Sequence, residues 1–229
     1  KGQRRGVVVQ ESYDWEKDAP LMLPQHEVIA YSLHVKGFTR QSASGVRHKG
    51  TFAGLVEKIP YLTGLGINQI HCEFDNGGKN GVNYWGYGPG YFFAPKSSYA
   101  AGEHPVTELK DMIKACHKAG IEVILEMPFD ASAGRQLMEE CLRYYRMEYH
   151  VDGFIVNPVF FSAEELAKDP ILSRTKILIH SNDYQNIMRR FLKGDEGMVE
   201  AVTYWLRHLS EKEGSFNYIA SHNGFTLMD

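Results

Sequence analysis

The chain contains few cysteines, no long apolar run and no strongly basic segment. Its three cysteines are odd in number and lack C-x-x-C spacing, which argues against a disulfide framework and predicts buried, reduced thiols in a cytoplasmic protein. No apolar stretch reaches about eighteen residues and no signal-like segment is visible, so neither a membrane span nor export is expected. A net charge of −3 supplies no positive field for a nucleic-acid partner.

The length and composition fit one large domain. Of the 229 residues, 43% are hydrophobic, which is enough for a sizeable buried core. We therefore expect residues 1–229 to form a single domain, in which residues 1–27 lead into the first regular element.

Apolar runs of strand length alternate with segments of helical periodicity along the chain. This alternation predicts parallel β/α units, and their number favours a (β/α)8 barrel over a doubly wound sheet. Only six or seven strands can be found, so the barrel is expected to be shortened or incomplete, with its final β/α unit missing, reshaped or supplied by further sequence. One helix is predicted between an N-cap at Thr51 and a stop at Gly64. Strands are predicted at 28–35, 67–72, 121–126, 151–156, 176–180 and 216–220, and further helices at 105–119, 135–150, 162–168 and 198–209.

Several sequence blocks carry a resemblance to a known family. They are YSLHVKGFTRQSASGVRHKG, NYWGYGP with FFAPKSSYA, CLRYYRMEYHVDGF, RRFLKGDEGMV and FNYIASHNGFTL. Together they resemble the catalytic barrel of glycoside hydrolase family 13, the α-amylase superfamily, and most closely its isoamylase, glycogen-debranching and pullulanase branch. The resemblance extends over residues 6–229.

The resemblance implies a catalytic site that this chain does not preserve. A retaining glycosidase needs a carboxylate nucleophile and a carboxyl acid/base about 5 Å apart, and this family adds a third carboxylate. The nucleophile position matches Asn157, the acid/base position matches His180, and the third carboxylate position matches Asn223. None of the three is acidic, so no intact catalytic residue is expected.

The surrounding positions are altered too. The family's arginine matches Ile155, its Asn-His pair matches Asp130 and Ala131, and its first aspartate matches Glu126. By the same matching Tyr87, the aromatic platform under the sugar, and His222, which grips sugar hydroxyls, remain. Candidate substrate-binding residues are Tyr84, Trp85, Tyr87 and His222, within an aromatic surface that also includes Tyr91 and Phe92.

The loops that would wall a substrate cleft are short. About four residues, 131–134, follow the third-strand motif, and residues 181–183 replace a second insertion. Active sites of such barrels are built from these loops. A new metal site is one interpretation of the polar side chains expected at the barrel mouth, but a plain polar mouth is favoured, so no metal and no cofactor is expected. The residues of that alternative are Glu126, Asp130, His180, Asp183 and His222.

The resulting hypothesis is a non-catalytic relative of a debranching glycosidase that binds an α-glucan or an active debranching enzyme. One alternative is an active hydrolase of α-1,6 or α-1,4 glucosidic bonds. Another is a structural subunit, because unpaired strand edges favour association. Either residues 1–23, with the apolar residues 7–9 and 21–23 as candidates, or the final residues cover the open edge, or a second copy forms a homodimer. Four residues, Glu126, Asn157, His180 and His222, are expected near the C-terminal rim of the barrel.

Overall fold

The computed structural model describes residues 12–73, 91–161, 163–179, 182–207 and 214–219. Its six strands form one parallel sheet in the order β1 to β6, so each strand pairs with its sequence neighbour. A doubly wound sheet would reverse its order near the middle, and this sheet does not. The strands are β1 (Ala30–Leu33), β2 (Gln69–Glu73), β3 (Glu122–Glu126), β4 (Gly153–Ile155), β5 (Lys176–Ile179) and β6 (Gly214–Ser215).

Eight helices connect the strands in the described part of the chain. The helix predicted after Thr51 is divided in two at Lys58, since Pro60, in the first turn of the second helix, has no N–H to donate to the carbonyl four residues earlier. The Thr51 cap is confirmed, since its Oγ1 accepts a bond from the Gly54 N–H at 3.1 Å. The helices are α1 (Val35–Arg40), α2 (Phe52–Glu57), α3 (Ile59–Gly64), α4 (Pro105–Lys118), α5 (Arg135–Glu148), α6 (Ala163–Leu166), α7 (Asn182–Lys193) and α8 (Met198–Arg207).

Three further elements differ from those predicted from the sequence. The strand predicted at 216–220 is wrong, because the ladder with β5 lies at Gly214–Ser215 and Phe216 turns into the barrel interior. The helices α1 and α7 were not predicted from the sequence. In α7 the initial Ser-Asn-Asp run reads as a turn, which hides the amphipathic helix that follows.

Two groups of apolar side chains pack on opposite faces of the sheet. The larger core lies between the strands and the helices and contains the three cysteines, all free and buried as predicted. A smaller cluster of Ile124, Ile155 and Leu178, joined by Phe216, lies on the other face, inside the curled sheet. The Phe216 ring contacts the His71 ring of β2 edge to face, with centroids 4.8 Å apart. The segment after β6 therefore reaches across the interior to the second strand.

The interior is polar near the N-terminal ends of the strands. Glu122 Oε2 accepts bonds from Gln69 Nε2 at 2.7 Å and from Lys176 Nζ at 2.6 Å. Gln69 Oε1 in turn lies 2.7 Å from His71 Nε2. Because Glu122 is fully buried, these partners offset the cost of removing its charge from water.

The segment before β1 crosses the base of the barrel. We call residues 13–23 the base strap. The Leu21 N–H donates to Asp152 Oδ1 and the Leu23 N–H donates to Glu122 Oε1, both at 2.8 Å. These contacts lie at the N-terminal ends of β3 and β4, so the proposed cover of the open edge by this segment is wrong for the described residues. Residues 7–9, the other predicted cover, lie outside the described part.

The sheet is not closed by the described strands, since no ladder joins β1 to β6 among them. This is the shortened barrel that the sequence predicts.

No helix in the described ranges is long and apolar enough to cross a membrane.

The close approach of β4 to β5 depends on Gly153. A Cβ at this position would lie 2.2 Å from the Lys176 carbonyl oxygen. We expect Gly153→Ala to lower the free energy of unfolding by roughly 1–3 kcal/mol, because backbone must move to relieve the overlap. Gly64→Ala is the matched control: its Cβ would meet no atom within 4 Å, so it should be neutral or slightly stabilising. Urea unfolding of both variants is the measurement, and equal midpoints would contradict the expectation.

Candidate functional site

The C-terminal ends of β3, β4 and β5 form the described part of the barrel rim. Glu126 pairs in register with Ile155, and Ile155 pairs with Leu178. Asn157 follows Ile155 by two residues, so Glu126 and Asn157 are at the ends of adjacent strands. His180, His222 and Asn223 lie outside the described residues.

Ile155 is part of the apolar interior. It is 2% exposed and packs with Ile124, Leu178 and Phe216. A guanidinium at this position would enter a group of aliphatic side chains, where a charge without a partner is strongly unfavourable. The position that matches the family's arginine therefore contributes to packing in this chain.

The Asn157 side chain is exposed and engaged in a local turn. Its Oδ1 accepts a bond from the Val159 N–H at 3.0 Å, and its carbonyl oxygen accepts one from the Phe160 N–H at 3.1 Å. Asparagine commonly stabilises turns in this way. An amide in this arrangement supplies no carboxylate that could attack a sugar.

Asp130 and Ala131 also form a turn. Asp130 Oδ1 accepts a bond from the Ser132 N–H at 2.8 Å and one from the Ser132 hydroxyl, which caps the short 3₁₀ turn at Ala131–Ala133. Asp183 is exposed at the first turn of α7. No group of three or more metal-ligating side chains is present within the described ranges, and two members of the metal alternative, His180 and His222, lie outside them.

Tyr218 is a rim residue that the sequence analysis missed. Its hydroxyl donates to Asn182 Oδ1 at 3.2 Å, and burial together with the nearby Glu126 carboxylate raises its pKa. Glu126, Asn182 and Tyr218 therefore form a polar mouth that joins β3, α7 and the segment after β6. The spacing of Phe216 and Tyr218 could have predicted this role, because residues two positions apart in an extended segment project from the same face.

The candidate aromatic surface is only partly described. Tyr84, Trp85 and Tyr87 lie outside the described residues. Tyr91 is 48% exposed, whereas Phe92 is buried and packs edge to face on Phe129 with ring centroids 5.2 Å apart. The inclusion of Phe92 in an aromatic surface is wrong, because its ring belongs to the core.

The connections at the rim are short. Residues 127–134 link β3 to α5, and α7 begins three residues after the end of β5. Two helices, α7 and α8, stand between β5 and β6, while α5 alone stands between β3 and β4. The connections after β3 and β5 thus contain too few residues to build high walls around a cleft.

Comparison with solved structures defines the class of fold. A pullulanase from Anoxybacillus sp. LM18-11, solved with maltotetraose, has a TM-score of 0.74 at 20% identity over 97% of this chain and 49% of its own. An apo pullulanase from Paenibacillus barengoltzii has a TM-score of 0.73 at 18% identity over 92% of this chain and 50% of its own. The fold is therefore that of a shortened TIM-type barrel. No family profile matches the chain.

Sequence comparison identifies the relatives. Rice isoamylase 1, a chloroplastic protein, is 26% identical over 95% of this chain and 42% of its own length. The Haemophilus influenzae glycogen operon protein GlgX homolog is 29% identical over 98% and 49%. The predicted resemblance to the isoamylase, debranching and pullulanase branch of the α-amylase superfamily is thereby confirmed. The chain spans about half the length of these curated relatives.

The alignments also show that residues are absent within the matched region. The alignment with rice isoamylase 1 covers 339 positions, whereas the whole chain has 229 residues. At least 110 aligned positions therefore have no counterpart in this chain. The short connections after β3 and β5 agree with this difference.

Proposed function

We propose that this chain is a non-catalytic protein of α-glucan metabolism, built on the barrel of a debranching glycosidase. Its role is to bind a glycogen-like or starch-like glucan, or to associate with an active debranching enzyme. A cytoplasmic location is part of the proposal and is supported by three buried cysteines, all free.

The single observation on which the proposal rests is the amide side chain of Asn157 at the position that matches the nucleophile. Retaining hydrolysis requires a carboxylate that forms a glycosyl ester, and an amide is not such a nucleophile. The Asn157 oxygen is instead hydrogen-bonded within a turn. Single losses of this kind lower rates by several orders of magnitude in other hydrolases.

The environment of Ile155 supports the same proposal. In an active site, a positive group beside the nucleophile stabilises its ionised form. Here the matched position carries an aliphatic side chain packed against Leu178 and Phe216. Restoring the carboxylate alone would therefore not restore its electrostatic environment.

We predict that the purified protein releases no reducing sugar from glycogen, pullulan or amylopectin above a buffer control. Asn157→Asp should also be inactive, because the acid/base position is His180 and the positive partner is absent. A reducing-sugar assay with an active pullulanase as positive control measures both. Turnover that disappears in Asn157→Ala or His180→Ala would support the alternative, an active hydrolase of α-1,6 or α-1,4 glucosidic bonds.

Glucan binding is proposed for the aromatic positions 84, 85 and 87 together with His222. One pullulanase of similar fold was solved with maltohexaose and α-cyclodextrin, which motivates a linear α-glucan as the probe. We expect calorimetric titration with maltoheptaose to detect binding. Tyr87→Ala should weaken it roughly two- to twelvefold, because a stacked aromatic contributes about 0.5–1.5 kcal/mol.

Tyr61→Ala is the matched control for the titration. Tyr61 is 50% exposed on α3, which leads into the opposite end of β2. This variant should bind maltoheptaose as the unmodified protein does. Equal loss in both variants, or heat of binding absent from the unmodified protein, would contradict the glucan-binding part of the proposal.

A structural role through self-association is the second candidate. α8 carries apolar side chains on two faces: Met198 and Val202 are buried, while Val199 and Leu206 are 68% and 59% exposed. An apolar surface on a helix next to an unclosed sheet favours coverage by another subunit. A second copy of the chain would provide it.

Sedimentation velocity at micromolar concentration tests this association. We expect a dimer, and we expect the double change Val199→Glu and Leu206→Glu to shift it to monomer by placing charges on the apolar face. Leu137→Glu, on the 40% exposed Leu137 of α5, is the control and should leave the dimer intact. A monomeric unmodified protein would leave the homodimer without support.

A further inference from the structure

A buried histidine joins the base strap to the barrel. His117 Nδ1 lies 2.9 Å from Asp18 Oδ1, and His117 Nε2 lies 2.9 Å from Asp152 Oδ2. The side chains of all three residues are at most 5% exposed. Ionised carboxylates only accept hydrogen bonds, so both ring nitrogens must donate, and only the imidazolium form has two N–H groups. The geometry therefore requires a proton on His117 for both bonds to form.

The three residues come from separate parts of the fold. Asp18 belongs to the base strap, His117 lies in the last turn of α4, and Asp152 immediately precedes β4. The bridge thus holds the strap against both a helix and the sheet.

The two carboxylates differ in their other donors. Asp152 also accepts bonds from the Val123 and Leu21 N–H groups, each at 2.8 Å. In contrast, Asp18 receives one further bond, from His150 Nδ1 at 2.9 Å. Loss of one imidazole proton would therefore weaken the Asp18 side more than the Asp152 side.

Other charged groups face this bridge from the surrounding elements. On the strap, Glu16 pairs with Lys114 and Lys118 of α4. From α5, Arg146 donates to the Val151 carbonyl at 2.8 Å and interacts with the Asp152 charge. His150 stacks on Trp15, with ring centroids 4.0 Å apart. The Glu16 pairs are partly exposed and therefore weak, so they would not hold the strap alone.

Packing beneath the strap is incomplete. A cleft of about 290 Å³ lies between parts of the strap and the C-terminal end of α4, with Trp15, Leu21, His117 and Lys118 among its lining residues. Trp15 of the strap packs against the main core, whereas the attachment at Asp18 consists of the polar contacts to His117 and His150.

We propose that the base strap is a proton-operated latch. While His117 is an imidazolium, residues 13–23 stay closed on the base of the barrel. When His117 loses a proton, the strap detaches around Asp18 while the sheet and its helices remain folded.

The direction of the pH dependence follows from the surroundings of His117. Burial lowers the pKa of His117, but the hydrogen bonds and charges of Asp152 and Asp18 outweigh it and raise this pKa above its ordinary value. The stabilising effect is thus complete below about pH 6.5, the ordinary histidine pKa, and is lost as pH rises through the raised value.

Hydrogen exchange measured by mass spectrometry at pH 6 and pH 9, corrected for intrinsic rates, tests the latch. The protection of the strap around Asp18 should fall roughly tenfold per pH unit between 6.5 and the raised pKa. Protection within α5 should stay constant, which distinguishes local release from global unfolding. Equal strap protection at both pH values would overturn the proposal.

Variants identify the responsible group. His117→Gln should leave the strap equally unprotected at both pH values, whereas His104→Gln, at an exposed histidine, should retain the pH response. Asp18→Asn removes the strap carboxylate without altering the Asp152 bonds, and should likewise abolish the response while α5 stays protected. Should His117→Gln fail to fold, Asp18→Asn and the unmodified protein decide the result. A pH response that survives in either His117→Gln or Asp18→Asn would contradict the latch.

Discussion

The buried carboxylate of Asp152 is the interaction on which the base of the barrel depends. The residue is fully buried, yet its oxygens accept bonds from Val123 of β3, Leu21 of the strap and His117 of α4. A buried charge is tolerated only when it is fully hydrogen-bonded. An arrangement that moves β3, α4 or the strap away from Asp152 would remove a donor from that charge, so one carboxylate couples the positions of four segments.

The two ends of the sheet differ in the polarity of the side chains that they place in the barrel interior. At the base, the buried Glu122 carboxylate is paired with the partly buried Lys176. At the rim, Ile155, Leu178 and Phe216 fill the interior, and Asn157 and Asp130 are used in turns. In barrels of this type the N-terminal face serves stability and the C-terminal face serves catalysis. The base of this barrel has the paired polar groups that serve stability. The rim has the substitutions on which the non-catalytic proposal rests.

Much of the fold could be predicted from the sequence because its signals are local. The Thr51 cap, the buried cysteines and the alternation of strands with helices depend on residues a few positions apart. The prediction failed where local pattern and tertiary packing disagree. Residues 216–220 have the composition of a strand, but Phe216 is drawn into the interior by contact with His71. Phe92 looks like a surface aromatic but packs on Phe129.

The sequence by itself determined that the nucleophile position carries an amide, because the chemical identity of Asn157 does not depend on how the chain folds. It also determined the parallel β/α order, through periodicities of helix and strand. Only the tertiary structure decided that Asn157 is engaged in a turn and that Asp18, His117 and Asp152 form one bridge. His117 is separated from Asp18 by 99 positions and from Asp152 by 35. No local pattern predicts contacts over such distances, since they arise when the strap, α4 and β4 are packed together and their charges must be paired away from water.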